Sequence, residues 1–297
     1  MDTLIIDVSY LAHRALHSVG DLAHGDQATG VVFGLLRDYL AIQEEFGTTR
    51  TVWCFDHPSP KLRLGDCPGY KSSRAKRYKE EDADKKEARK GMRKQLALLY
   101  RKYLPQAGYR NVFAAAGFEA DDIIARVAKD LPVGEPATIV GSDQDLWQLC
   151  RRVPRVSCYN PQSRKLVTVE SFMDQWGLQP LDWADVKAIA GCKTDDVPGV
   201  DKVGEVLAAR YLRGELGDHT KAYQKIEAAR DLWTHNLKVV KLPYHGTPKF
   251  ELRNDDVTPD KWGSVMGALG IAALGTPNGV PNNIKGRRDR RGKGFGL

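Results

Sequence analysis

No stretch of this 297-residue chain stays apolar for long. Its longest runs, such as residues 4–7 and 51–55, are strand-sized and far short of the roughly 18–20 residues that span a bilayer. No charged-then-apolar leader opens it, so the expectation is a soluble, non-secreted protein of the cytoplasm with no membrane partner. Cysteine is scarce and odd in number. Cys54, Cys67, Cys150, Cys158 and Cys192 include no CxxC pair and have no His ladder nearby, so neither a disulfide framework nor a zinc site is suggested. A chain that is 42% hydrophobic is not disordered overall. It is long enough for one α/β domain of ordinary size with a smaller companion.

The formal net charge is +7, but the excess is local. Residues 61–102 carry 15 Lys/Arg against 6 Asp/Glu, and residues 285–297 carry 6 against 1, which leaves the rest of the chain net acidic. Two basic segments on an acidic body suit a polyanionic substrate gripped by one part while another concentrates cations. The same runs, taken alone, also fit solvated helix faces.

Along the chain, short apolar runs closed by an acid alternate with helical spacing. Residues 4–7 end in Asp7 and lead into a helix from Tyr10. Residues 51–56 end in Asp56, and residues 137–140 are followed by Gly141-Ser142-Asp143-Gln144-Asp145 and a helix from Leu146. This βα alternation predicts a mostly parallel sheet with helices on both faces, where ligands bind beyond the carboxyl ends of the strands. Residues 57–80 carry Pro, Gly and cations without apolar periodicity and read as a long mobile basic loop, followed by a charged helix over 81–104. A helix is expected over 118–131 and a hairpin around 159–169. Residues 178–274 read as a small helical domain, with helices at 181–190, 204–211 and 221–236. Residues 275–297, rich in Gly, Pro, Asn and Arg, read as a disordered basic tail.

Nine acids occupy motif positions: Asp7, Asp56, Glu119, Asp121, Asp122, Asp143, Asp145, Asp195 and Asp196. Helical spacing puts Glu119 and Asp122 on one face with Asp121 rotated away but close, and a strand's period of two aims Asp143 and Asp145 the same way. Two such charges about 5 Å apart repel by roughly 3 kcal/mol at an effective dielectric near 20, so their convergence calls for cations. Oxygen ligands without His or Cys point to Mg²⁺ or Mn²⁺. A pair of such ions clamps an in-line phosphoryl displacement.

Residues 4–10 (LIIDVSY), Phe55-Asp56, residues 117–122 (GFEADD), residues 140–146 (VGSDQDL) and residues 195–200 (DDVPGV) occur in an order that resembles the flap endonuclease family. That family includes the 5′-nuclease domain of bacterial DNA polymerase I and stand-alone phage 5′→3′ exonucleases. The likeness runs to about residue 215. It implies a PIN-like α/β domain over residues 1–177, a helical arch at 57–104, and a helix–three-turn–helix module that grips duplex DNA. It also implies that Asp7, Asp56, Glu119, Asp121, Asp122, Asp143, Asp145 and Asp195 hold two divalent ions. At the family's last motif Cys192 stands in place of an acid, which weakens the second ion's position.

The arch spacing of Arg63, Tyr70, Lys71 and Arg74 matches the family's, although its proline-rich continuation is replaced by Ala75-Lys76-Arg77-Tyr78-Lys79. The resemblance implies that Lys71 and Arg74 hold the scissile or adjacent phosphate, while Arg63 and Tyr70 contact DNA, Tyr70 by stacking on a base. In residues 198–204, Gly199, Lys202 and Gly204 are expected at the DNA backbone, where a hairpin and a helix start offer N–H groups to phosphate, and a K⁺ ion is implied there. The tail cations Lys285, Arg287, Arg288, Arg290, Arg291 and Lys293 would add salt-sensitive affinity or dock a partner.

The expected activity is a structure-selective 5′ nuclease acting on DNA flaps or 5′ ends in replication or repair. The protein would be monomeric, working alone or beside a separate polymerase or single-strand-binding protein, in the host cytoplasm if phage-encoded. Removal of RNA primers from RNA–DNA hybrids by the same site, and a non-catalytic DNA-binding module, stay open. A phosphotransfer domain is disfavoured, because Asp7-Val8-Ser9 lacks the second acid of a nucleophilic DxD site.

Overall fold

A computed structural model describes residues 2–20, 22–57, 62–271 and 274–278. The chain opens with β1 (Thr3–Asp7) and α1 (Val8–Val19), then a small hairpin of β2 (Ala23–His24) and β3 (Gln27–Ala28). Next come α2 (Gly30–Phe46) and β4 (Arg50–Cys54). Three charged helices follow, α3 (Leu62–Asp66), α4 (Ser72–Glu80) and α5 (Ala83–Leu98). α5 runs through a π-helical turn at Leu99–Tyr103 into α6 (Leu104–Ala107). After β5 (Val112–Phe113), α7 (Ala120–Asp130) and β6 (Ala137–Val140) come a 3₁₀ turn at Gln144–Leu149, β7 (Val156–Asn160), β8 (Lys165–Val167) and α8 (Val169–Trp176). The remaining helices are α9 (Trp183–Ala190), α10 (Glu205–Leu212), α11 (Lys221–Ala228), α12 (Arg230–Val240) and α13 (Pro259–Ala268).

The six-stranded sheet has the order β5-β4-β1-β6-β7-β8. Every neighbouring pair is parallel except β7 with β8. β1 lies at its centre and is apolar on both faces, as a strand covered by helices on each side must be. Leu4 and Ile6 pack with residues of α1, α2, α5 and α13, whereas Ile5 packs with α7, α8, α9 and α10. The second of these cores runs without a break from Val52 and Ile139 of the sheet to Trp183, Val186 and Ala208. Helices α9, α10 and α11 therefore share their apolar core with the sheet, while Val239 and Val240 of α12 pack in a separate cluster with Tyr70 and Cys192.

Three local expectations change. The basic segment after residue 57 is helical at α3 and α4 rather than a loop, because ion pairs and caps replace the missing apolar periodicity: Asp196 accepts from Ser73 N–H at 2.8 Å near the start of α4. The helix expected from Leu146 is a 3₁₀ turn that begins where Asp143 Oδ1 accepts from Asp145 N–H at 2.8 Å. The single helix expected over 221–236 is two, α11 and α12, parted at Ala229. The basic tail beyond residue 278 lies outside the described residues.

Candidate active site

Parallel strands bring their carboxyl ends to one edge, and the acids gather there. Asp7 is the last residue of β1, Asp56 follows β4 by two residues and Asp143 follows β6 by three. A backbone N–H fixes one oxygen of each: Tyr10 N–H donates to Asp7 Oδ1 at 3.0 Å, Ala120 N–H to Asp56 Oδ1 at 2.9 Å, and Asp145 N–H to Asp143 Oδ1. Ser9 Oγ donates to the other oxygen of Asp56 at 2.5 Å. Asp121, in the first turn of α7, completes the group.

Burial and the charges of Asp56 and Asp143 push the Asp7 carboxyl up to about 7. Burial, then Asp143, Asp7 and Asp56, push Asp121 well above the usual carboxylate range. Among the described residues, no Lys or Arg forms an ion pair with any of these four acids.

A second group lies beside the first. Asp145, Cys192 and Asp195 each offer a ligand atom, all within 4.8 Å of one another. Burial, and then Asp143, raise Asp145 to about 7, so Asp143 couples the two groups. Burial also raises Asp195, against the pull of Lys71 and Arg74.

Glu119 and Asp122 share a face, as helical spacing requires, but it is turned toward the arch. Arg63 Nη1 donates to Glu119 Oε2 at 3.0 Å and to Asp122 Oδ2 at 2.8 Å, while Nη2 donates to Asp122 Oδ1 at 2.7 Å. Tyr244 N–H and Glu119 N–H also donate to Asp122, which is wholly buried and has both oxygens engaged. Asp122 is thus an anchor for α3 and α7, where the resemblance implied a metal ligand. Asp121, read as rotated away, is the member of this motif that faces the acidic group.

The arch residues divide in the same way. Arg63 is 5% exposed and also donates to Val239 O at 3.0 Å. Tyr70 is 8% exposed, and its hydroxyl donates to Glu119 Oε2 at 2.8 Å. Both are buried against protein partners rather than presented at the surface. Their neighbours are accessible. Lys71 Nζ pairs with Glu119 and lies 3.9 Å from Asp195, and Arg74 pairs with Asp195 at 2.8 Å. Burial opposes ionisation of Glu119, but Lys71 and Arg63 hold it below its usual range.

The turn at 193–204 braces this arrangement. Cys192 and Val197 exchange backbone hydrogen bonds at 3.0 Å, and Lys71 N–H donates to Asp195 O at 2.9 Å. Gly199 lies so close to α9 that a Cβ there would stand 2.0 Å from Ala190 O. Lys202 has a left-handed backbone, φ 59°, and Gly204 leads into α10 with open space around it. Two working residues escaped the sequence reading, Ser9 and Lys187, while Asp196, already among the motif acids, accepts from Ser73 N–H at 2.8 Å. Lys187 lies 3.4 Å from Asp145 and 3.0 Å from Glu205. Ser9, two residues beyond Asp7, was the one with a visible signal.

Residues 2–177 match the family described as 5′-3′ exonuclease, N-terminal resolvase-like domain. The chain belongs to this family. Its relatives include the thermostable DNA polymerase I of Thermus thermophilus, 28% identical over 228 residues, or 75% of this chain and 25% of the polymerase. The 5′-3′ exonuclease of Buchnera aphidicola is 25% identical over 238 residues, covering 79% of this chain and 77% of that protein. The chain thus spans about a quarter of the length of the thermostable polymerases it matches. Among solved structures, the zinc-bound T5 5′-exonuclease superposes with a TM-score of 0.69 at 18% identity, covering 92% of this chain and all of that one. Human GEN1 with Holliday junction DNA gives a TM-score of 0.55 at 15% identity, over 90% of this chain and 67% of that one. These likenesses confirm the PIN-like α/β fold.

Proposed function

We propose that this protein is a divalent-metal-dependent 5′ nuclease that hydrolyses phosphodiester bonds at the 5′ ends and 5′ flaps of DNA. The observation that carries the reading is the meeting of Asp7, Asp56, Asp121 and Asp143 at one sheet edge, where no Lys or Arg among the described residues forms an ion pair with them. Such a group is stable in its ionised form only with bound cations. Its all-oxygen donors fit Mg²⁺ or Mn²⁺, and Asp143, Asp145 and Asp195 offer a neighbouring position. Divalent ions held there would activate a water and neutralise the leaving oxygen.

The chain's own residues do the positioning. Backbone N–H groups and Ser9 hold the acids in fixed orientations, which is what a preorganised site requires. Lys71 and Arg74, the arch cations paired with Glu119 and Asp195, are assigned to the substrate phosphate, as point charge and planar fork respectively. The hairpin at 198–204 and the start of α10 are assigned to the duplex backbone through Lys202 and N–H groups near Gly204, as one half of a helix–three-turn–helix. K⁺ in that hairpin, a monomeric state and a cytoplasmic setting rest on the family likeness. No helix among the described residues is long and apolar enough to cross a membrane.

The test is digestion of a labelled 5′-flap duplex, a blunt duplex and an RNA–DNA hybrid with Mg²⁺, with Mn²⁺ and with chelator. Metal-dependent release of 5′ fragments from the DNA substrates is expected. Cleavage that survives chelation, or no cleavage of any substrate with either ion, would overturn the reading.

A further inference from the structure

The fold brings the Cys192 thiol to two carboxylates. Cys192 follows Gly191 at the end of α9, and the 3₁₀ turn at Lys193–Asp195 carries the chain back so that Asp195 joins it. Asp145 arrives from the 3₁₀ turn that follows β6. The ligand atoms of the three lie within 4.8 Å of one another, and Cys192 and Asp195 are 6% and 8% exposed. A second observation points into the same place. Asp145 Oδ1 is sealed from solvent and accepts no hydrogen bond. Lys187 Nζ stands 3.4 Å from it, and hydrogen-bonds instead to Glu205 at 3.0 Å. The Lys187 ion pair offsets the charge of this oxygen without hydrogen-bonding it, which leaves a shielded acceptor open to a further cation.

We infer that Asp145, Cys192 and Asp195 form a thiolate-containing cation site that prefers a thiophilic divalent ion, of the Zn²⁺ class, over Mg²⁺. The inference rests on the reading of Asp145 and Asp195 as metal ligands and deepens it. Thiolate sulfur favours zinc-like ions, whereas Mg²⁺ demands oxygen. The neighbouring position of Asp7, Asp56, Asp121 and Asp143 offers carboxylate oxygens, so the protein carries two adjoining positions of unlike preference. Thr194 Oγ1 lies 3.2 Å from the sulfur and can donate to it. The sequence hid this site because its ligands follow none of the Cys and His spacings that mark zinc sites.

The experiment titrates the metal-stripped full chain with Co²⁺ or Cd²⁺ in excess Mg²⁺ and follows the ultraviolet charge-transfer absorbance that thiolate coordination produces and carboxylates do not. One thiolate per chain is expected to coordinate, with the band persisting in Cys67→Ser and vanishing in Cys192→Ser and Cys192→Asp. Zn²⁺ affinity by calorimetry should fall in Cys192→Ser by more than the roughly 10–100-fold that loss of an outer-shell partner costs. Absence of a band in the unaltered protein, or a band that survives Cys192→Ser, overturns the site.

Should the variants fail to fold, alkylation of the unaltered protein decides: Zn²⁺ but not Mg²⁺ should protect Cys192 in a peptide map, and equal labelling with both ions contradicts the proposal. Asp56→Asn separates the two readings. If the proposed site assignment is right it abolishes cleavage while the band remains, and cleavage that persists beside an intact band sinks only the assignment of the catalytic ions to Asp7, Asp56, Asp121 and Asp143.

Discussion

Arg63 grips Asp122 with two guanidinium nitrogens, at 2.7 and 2.8 Å, beneath the rings of Tyr70 and Tyr244. Burial disfavours its charge, but Asp122 foremost, with Glu119, keeps it protonated. This pair ties the base of the arch to the helix that supplies Asp121. The arch residues that remain accessible, Lys71 and Arg74, are therefore carried on a rigid footing rather than a free loop.

Arg63→Ala should accordingly act on stability. Leaving Asp122 buried and unpaired costs about 3–5 kcal/mol, read as a lower denaturant midpoint, while Arg63→Met loses less packing than the alanine variant. An Arg63→Ala protein of unchanged stability with selectively weakened DNA affinity would return Arg63 to the DNA surface.

Lys71→Ala should slow single-turnover hydrolysis of a flapped duplex by about 10²–10³-fold, the range for removing one preorganised charge from a reaction centre. Duplex affinity should change only a few-fold. Equal losses in rate and in affinity would place Lys71 outside the reaction centre.

The hairpin allows a paired comparison. Gly199→Ala puts a methyl into the Ala190 carbonyl and should destabilise the turn and weaken duplex binding together. Gly204→Ala meets open space at an ordinary backbone angle and should leave stability within about 1 kcal/mol. Thermal melts and duplex titrations of the two variants check this, and similar behaviour of both would contradict the packing argument.

The acids also set a pH dependence. Asp7 and Asp145 are pushed up to about 7, and Asp121 above the usual range. The metal-free folded protein thus holds protons there that the unfolded chain has released. That contribution to stability is complete below about pH 4 and is lost as pH rises through about 7. In chelator, the melting temperature should fall between about pH 5.5 and 8, and added Mg²⁺ or Mn²⁺ should stabilise most at the upper end. A metal-free melting temperature that rises across this window would contradict the arrangement.

The positions of Asp7, Asp56 and Asp143 were legible because a parallel βα pattern leaves one choice for where strand-end acids point. The pairing of Glu119 with Asp122 was legible from helical spacing, but which cation they meet was not: Arg63 lies 56 residues before Glu119, and its burial depends on Val239 and Tyr244 from much later in the chain. Asp143 and Asp145 do converge, though by a side-chain-capped turn rather than by strand alternation. Tyr70 shows the limit of spacing alone, since an aromatic beside two cations fits a base platform equally well until its hydroxyl is found on Glu119. Cys192 read as a lost ligand because nothing local reveals Asp145 beside it.

Asp7, Asp56, Asp121 and Asp143 are proposed to hold the divalent ions on which cleavage depends, and Asp143→Asn removes one of these ligands. Single-turnover cleavage of a 5′-flap duplex in Mg²⁺ should fall by at least about 10²-fold, with the variant folded and its flap affinity within a few-fold of the original. Cleavage near the original rate would contradict the account.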